Sequence, residues 1–354
     1  MTNKPVKLLI AASGTGGHLF PAIATANQLK DYDIEWLGVP NRLETKLVPS
    51  QYPLHTISVE GFQQKLGLGT FKILSGLIGS ILQVRQILKR GQFHGLFTTG
   101  GYIAAPGIIA ARSLGLPVIL HESNVLPGKV TRWFSRLCNV VAVGFEEGAK
   151  YLPSGKTVYV GTPVREEFLY PQLLDLPIPE NVPVIAVVGG SQGAVAVNQL
   201  VRKCIPAWIE TGAWIIHQTG ENDPDAFSVE HPQYFPMTFY NNMAGLFQRA
   251  NLVISRAGAG SLTELAVTHK PSILIPYPYA ADNHQAYNAE VFSSQNAALV
   301  FTQSELTEEK LQTEVLELLK SSEKLEKMAV GAEKLAVKDS GKKLASLVHK
   351  FLSH

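Results

Sequence analysis

Three glycine-rich runs carry the residues most able to do chemistry: Gly14-Thr15-Gly16-Gly17-His18, Gly189-Gly190-Ser191-Gln192-Gly193 and Ser255-Arg256-Ala257-Gly258-Ala259-Gly260-Ser261. Each follows a short apolar segment and precedes a helical pattern. Glycine lets backbone approach a ligand closely, and the helix that follows offers N–H groups and the positive end of its dipole. Their recurrence at matching positions points to phosphate or sugar binding. His18 adds a ring that can move a proton at neutral pH.

Two other motif readings compete for these loops. The first run reads like a dinucleotide fingerprint with Glu35 downstream, but Leu19 stands where the third glycine belongs. The second fits G-x-S-x-G through Gly189, Ser191 and Gly193, which makes Ser191 a hydrolase-type nucleophile with Asp282 and His284 following in order. That acid and base are only two positions apart, and the reading leaves His18 and the whole first half idle. Asp31-Tyr32-Asp33 and Asp223-Pro224-Asp225 match the Asp-x-Asp pattern of metal-dependent transferases, but both read as solvated turns. No His/Cys cluster has metal-ligand spacing, so a metal is neither demanded nor excluded. Cys138 and Cys204 read as buried, reduced thiols.

The elements that must position these loops alternate along the chain. Strand-like segments at Lys7–Ser13, Ile34–Leu37, His55–Val59, Gly95–Thr99, Pro117–His121, Val140–Val143 and Thr157–Gly161 are mostly separated by helical patterns, the first over Phe20–Lys30. Residues 164–182, with Pro171, Pro177 and Pro179, read as a linker. The pattern restarts at Val184–Val188, with later strands expected at Trp214–Gln218, Met237–Tyr240, Leu252–Ser255 and Ser272–Pro276, and a charged helical tail from Thr307. The expectation is an α/β chain of two doubly wound parallel-sheet domains, with ligands at the carboxyl ends of the strands in a cleft between the halves.

Composition bounds the function. The 354 residues carry a formal net charge of +2, with 45% hydrophobic and 17% charged residues, which suits globular domains and gives no basic field for nucleic acid. Leu8 to Ala12 is too short for a signal-peptide core, and the uncharged run Ile73–Val84 falls short of the ~20 residues that span a bilayer. Leu66, Leu68, Phe71, Leu74, Leu77, Ile78, Ile81, Leu82 and Leu88, flanked by Lys65, Lys72, Arg85, Lys89 and Arg90, instead suit docking of residues 65–90 on an anionic membrane surface.

Taken together, Gly14 to His18, Gly100-Gly101-Tyr102, His121-Glu122-Ser123-Asn124, Gly189 to Gly193, Arg256 through Glu264 and His284-Gln285-Ala286-Tyr287-Asn288 resemble the MurG family. The resemblance implies GT-B architecture: residues 1–163 form an acceptor- and membrane-binding domain, residues 183–340 bind UDP-N-acetylglucosamine, and the helix at 341–354 packs back on the first domain. It implies inverting transfer of N-acetylglucosamine to the 4-hydroxyl of the N-acetylmuramyl unit of lipid I, giving lipid II and UDP, at the cytoplasmic face of the bacterial inner membrane. No resident cofactor is implied.

The resemblance carries over to positions of this chain. It makes His18 the base, with Glu122 a second candidate or an acceptor-orienting group. Gly14 and Tyr102 fall on the acceptor side. The donor side takes Thr15, Gly16 and Gly17, and Asn124 for the sugar. Gly190, Ser191, Gln192 and Gly193 take the diphosphate with Arg165. Tyr240 lies near the uracil. Arg256, Gly258, Ala259, Gly260, Ser261, Leu262, Thr263 and Glu264 wrap the nucleotide, with Glu264 on the ribose. Gln285 and Asn288 read the sugar hydroxyls, and the family's usual Gln-Gln pair stands here as His284-Gln285. The rivals are a serine esterase built on Ser191, a non-catalytic nucleotide-sugar-binding module, and a GT-B glycolipid transferase with another acceptor.

Overall fold

A computed structural model describes residues 5–59, 69–190 and 193–352, with the backbone alone for residues 69–74. The chain divides into two compact units: Met1–Arg165 with Lys338–His354, and Glu166–Val337.

The first unit is built on seven strands: β1 (Val6–Ala11), β2 (Tyr32–Gly38), β3 (Leu54–Thr56), β4 (Gly95–Thr98), β5 (Val118–Glu122), β6 (Val140–Val143) and β7 (Thr157–Tyr159). They lie in the order β3-β2-β1-β4-β5-β6-β7, and every pair is parallel. β1, β4 and β5 are near-continuous apolar runs because helices cover both faces of a parallel sheet. Their side chains alternate between two cores. Leu9, Ala11, Leu96 and Leu120 face the core that includes Val84 and Leu88 of α3 (Gly69–Arg90) and Ile108 of α4 (Ala104–Ser113). Leu8, Ile10, Phe97 and Ile119 face Leu19 and Ala22 of α1 (Gly16–Ala26) and Leu344 and Val348 of α12 (Ser340–Leu352). Each such Leu or Ile contributes about 1.5–3 kcal/mol by leaving water. The chain's last helix therefore lies on the first unit, beside α1. Two short helices complete the unit at the site end, α2 (Glu44–Leu47) and α5 (Lys129–Phe134).

The second unit holds β8 (Val184–Val188), β9 (Trp214–Gln218), β10 (Tyr234–Met237), β11 (Leu252–Ser255), β12 (Ser272–Leu274) and β13 (Ala298–Val300) in the parallel order β10-β9-β8-β11-β12-β13. α6 (Val195–Ile209), α7 (Met243–Arg249), α8 (Ala259–Val267), α9 (His284–Ser294), α10 (Glu308–Lys320) and α11 (Ser322–Lys334) surround it. Trp208 and Cys204 of α6 and Leu311 and Val315 of α10 close its core. Burial pushes the Cys138 and Cys204 thiols up to about 12 each, and neither forms a disulfide.

Three sequence expectations shift. The first helix begins at Gly16, not Phe20, so His18 lies in its first turn. The third strand of the second unit is Tyr234–Met237, not Met237–Tyr240, because Tyr240 leaves the sheet to hydrogen-bond Asp175. The tail holds three helices and is preceded by β13, which is too short for its alternation to stand out. Most of the proline-rich stretch is pinned to α7: Asn242 donates to the Leu173 carbonyl, Gln248 to that of Tyr170, and Arg249 to those of Pro179, Glu180 and Val182.

Candidate functional site

α1, α6 and α8 each follow the carboxyl end of a central strand, and none of their starts receives a side-chain cap. Thr15, Ala194 and Gly258 occupy the cap positions, and no acidic residue lies in any first turn. α7, α10 and α11 are capped by Asn242, Thr307 and Ser321, while α2, α4, α5 and α9 also start without a side-chain cap. An uncapped start leaves backbone N–H donors for an anion. The three glycine loops thus end at helix starts built like anion sites, next to the points where the strand order reverses.

In the first unit, His18 is gripped from the end of the neighbouring strand β4. Its Nδ1 lies 2.8 Å from the Thr99 carbonyl, while the Thr99 hydroxyl donates to the His18 carbonyl at 2.9 Å. A carbonyl only accepts, so Nδ1 carries the proton and Nε2 is the basic nitrogen of the neutral ring. The ring rests against Gly100 and Gly101, both at positive φ, where a Cβ would lie 3.7 Å from Cε1 and 3.5 Å from Nε2 respectively. Tyr102, next along, is exposed.

Glu122 ends β5 and is committed. Its carboxylate accepts from Asn124 N–H and side-chain amide (3.1 Å each), Gly128 N–H (3.1 Å) and Thr131 Oγ (2.6 Å). It therefore clamps the loop that carries Asn124 and the start of α5. His121 beside it is fully buried, donates from Nε2 to the Gly161 carbonyl (2.9 Å), and is held neutral by burial. The Arg165 guanidinium lies 4.6 Å above the Phe20 ring of α1 and so belongs to the first unit.

In the second unit, Gly193 closes its loop at φ +81° against β9: a Cβ there would come within 2.4 Å of the Thr219 carbonyl. Ser191 and Gln192 lie outside the described residues. Gln285 ties two loops together, its Oε1 accepting from Ala257 N–H (3.2 Å) and Tyr277 N–H (2.9 Å). Asn288 is fully buried, with Nδ2 donating to the Ala257 carbonyl at 3.2 Å. Arg256 points to the end of β12, donating to Ile275 (3.1 Å) and to Gln303 (2.7 Å). Gly258 to Glu264 run from the cap into the second turn of α8, with Glu264 half-buried there.

Sequence reasoning passed over a buried network behind the Gly193 loop. The Tyr234 hydroxyl donates to His217 Nδ1 (3.0 Å), and His217 Nε2 donates to Asn198 Oδ1 (3.0 Å). Asn198 donates to Asp223 (2.6 Å) and to the Thr219 carbonyl (2.8 Å), and Arg202 adds two bonds to Asp223. The reading of Asp223 as a solvated turn is wrong: its side chain is 0% exposed because Arg202 and Asn198 of α6 draw it in. Burial, then the Arg202 charge, lowers the His217 pKa to about 3, so the ring is neutral, as the donor chain requires. Asp33, in the other Asp-x-Asp run, pairs with Lys7 at the amino ends of the strands, away from the loops. Among the described residues no group of three or more His, Cys, Asp or Glu side chains is placed to hold a metal ion.

Comparison with known proteins fits this arrangement. Residues 8–143 match the glycosyltransferase family 28 N-terminal domain and residues 184–344 the glycosyltransferase family 28 C-terminal domain. A Trichodesmium erythraeum protein named UDP-N-acetylglucosamine--N-acetylmuramyl-(pentapeptide) pyrophosphoryl-undecaprenol N-acetylglucosamine transferase is 85% identical over 100% of this chain and 95% of its own length. A Nostoc protein of the same name is 66% identical over 98% of both chains. The crystal structure of Acinetobacter baumannii MurG superposes with a TM-score of 0.79 at 29% identity, covering 98% of this chain and 100% of that one.

Proposed function

The chain belongs to glycosyltransferase family 28, and from that membership we propose that it transfers N-acetylglucosamine from UDP-N-acetylglucosamine to N-acetylmuramyl-(pentapeptide) pyrophosphoryl-undecaprenol. His18 is the base. Its Nε2 takes the proton of the muramyl 4-hydroxyl, the oxygen forms its bond to the anomeric carbon, and the bond to UDP breaks with inversion. The observation that carries this role is the Nδ1 contact to Thr99, which fixes the tautomer and leaves Nε2 as the basic atom. Glu122, with four donors on its carboxylate, orients the Asn124 loop and takes no proton.

The second unit binds the donor. The uncapped starts of α6 and α8 supply N–H groups for the diphosphate, Ser191 adds a hydroxyl, and Glu264 receives the ribose. No resident cofactor is required by this scheme.

The enzyme works at the cytoplasmic face of the membrane that holds the undecaprenol tail. No helix among the described residues is long and apolar enough to cross a bilayer. Docking falls instead to α3, whose Ile78 (52% exposed) and Leu82 (60%) share a helix face with Arg85 and Lys89. Trp133 (62% exposed) and Arg132 of α5, with Arg136 just beyond it, extend the same chemistry. Residues 65–68 of the expected docking segment lie outside the described residues.

The test is UDP release from UDP-N-acetylglucosamine with and without a short-chain lipid I analogue. Release and a new disaccharide that both require the analogue support the reading. Donor binding without turnover would remove the acceptor assignment. Labelling by a fluorophosphonate, blocked by Ser191→Ala, would favour a hydrolase.

A further inference from the structure

We propose that Glu44 is a positioning residue for the His18 base, a role that rests on the transferase reading above. Glu44 opens α2 and is fully buried. Its Oε1 accepts from the Ser13 hydroxyl at 2.5 Å and from Val39 N–H at 2.6 Å, and its Oε2 from Gly14 N–H at 3.2 Å. Among the described residues these three donors, rather than a cation, are its partners. A buried carboxylate is costly unless its lone pairs are filled, so its presence here is a statement about geometry.

The geometry joins two strand ends. Ser13 and Gly14 follow β1, and Val39 follows β2, so one side chain ties together the carboxyl ends of neighbouring central strands. The chain makes room for it: a Cβ on Gly38 would lie 2.7 Å from Glu44 Cγ. Gly14 then turns at φ +97° into Thr15, the cap position of α1 that has no side-chain cap of its own. What fixes the entry of α1 is therefore the carboxylate behind the loop. His18 is held to that entry through its N–H on the Thr15 carbonyl at 3.0 Å. A loop that drifts carries the imidazole away from Thr99 and from the acceptor oxygen, and a misplacement of about 1 Å costs on the order of 100-fold in rate.

Glu44→Gln keeps the volume but replaces one acceptor oxygen with an NH2 group facing donors. A purely structural role and a positioning role separate in a double-mutant cycle with His18→Ala, measured as kcat at saturating UDP-N-acetylglucosamine and lipid I analogue. Wild-type turnover on the same substrates, measured first, tests the transferase reading separately. Glu44→Gln is expected to lower kcat by roughly 10- to 100-fold with the donor KM within about twofold. In the His18→Ala background the same change should cost less than about twofold, because the group it positions is gone. An equal loss in both backgrounds, or unchanged kcat in Glu44→Gln, would overturn the proposal. Should Glu44→Gln fail to fold, Ser13→Ala removes one donor and leaves the carboxylate, with a smaller drop and the same non-additivity expected.

Discussion

The first and second glycine loops are backed by opposite devices. Behind the first stands one buried carboxylate, Glu44, on three donors from two strand ends. Behind the second stands a chain of five side chains, Tyr234, His217, Asn198, Asp223 and Arg202, that joins β10, β9, α6 and the turn after β9. The first device controls where one ring sits, since His18 is four residues past Gly14, which it holds. The second sets the floor of the loop to which the proposed reaction assigns the donor diphosphate. A catalytic group needs an accurate position, and a binding loop needs a rigid floor.

The largest expected effect strikes the second device. Asp223→Ala leaves the buried Arg202 with only the exposed Asp225 at 4.0 Å, which should cost about 3 kcal/mol in urea unfolding. A loss under about 1 kcal/mol would mean the network is not the floor described. Next comes Gly193→Ala. With φ +81° and only 2.4 Å between a Cβ and the Thr219 carbonyl, the loop must move. Calorimetry should find UDP binding weakened on the order of 100-fold, about 2.7 kcal/mol. Unchanged binding would take the diphosphate away from this loop.

The effect that is smallest per pH unit is a stability slope. His217 titrates near 3 when folded, against an ordinary value of 6.5. Between these values the unfolded chain binds a proton that the folded chain does not. Stability is therefore full above about 6.5 and falls with acidification by at most about 1.4 kcal/mol per pH unit. Asp223, held below its usual range chiefly by its bonds to Arg202 and Asn198 against the opposing effect of burial, adds to the loss at the acid end. His217→Gln should flatten thermal stability against pH in that window. An unchanged slope would assign the acid sensitivity elsewhere, with buried His121 of the first unit the alternative.

Much of this was legible from residue order alone. Apolar runs ending at glycines mark buried parallel strands, and β1, β4 and β8 fall where such runs stand. His18 stood out because an ionisable ring in a glycine loop has few structural reasons to be there. The supports were not legible. Glu44 lies 30 residues from Gly14, and only the β1–β2 pairing brings them together. Asp223 looked solvated because its local sequence is polar, while the guanidinium that buries it comes from α6. Asn288 and Arg256 carried the right chemistry for a ligand, but their direction depends on loops elsewhere in the second unit. Residue type reveals capacity, and long-range packing decides which group spends that capacity on its own fold.

The most direct test of the division between base and binding loop is UDP binding to His18→Ala, titrated calorimetrically beside its turnover. The account predicts turnover lower by about 1,000-fold with the UDP dissociation constant within about twofold of wild type. Binding lost in step with turnover would contradict it, because His18 would then belong to the donor site.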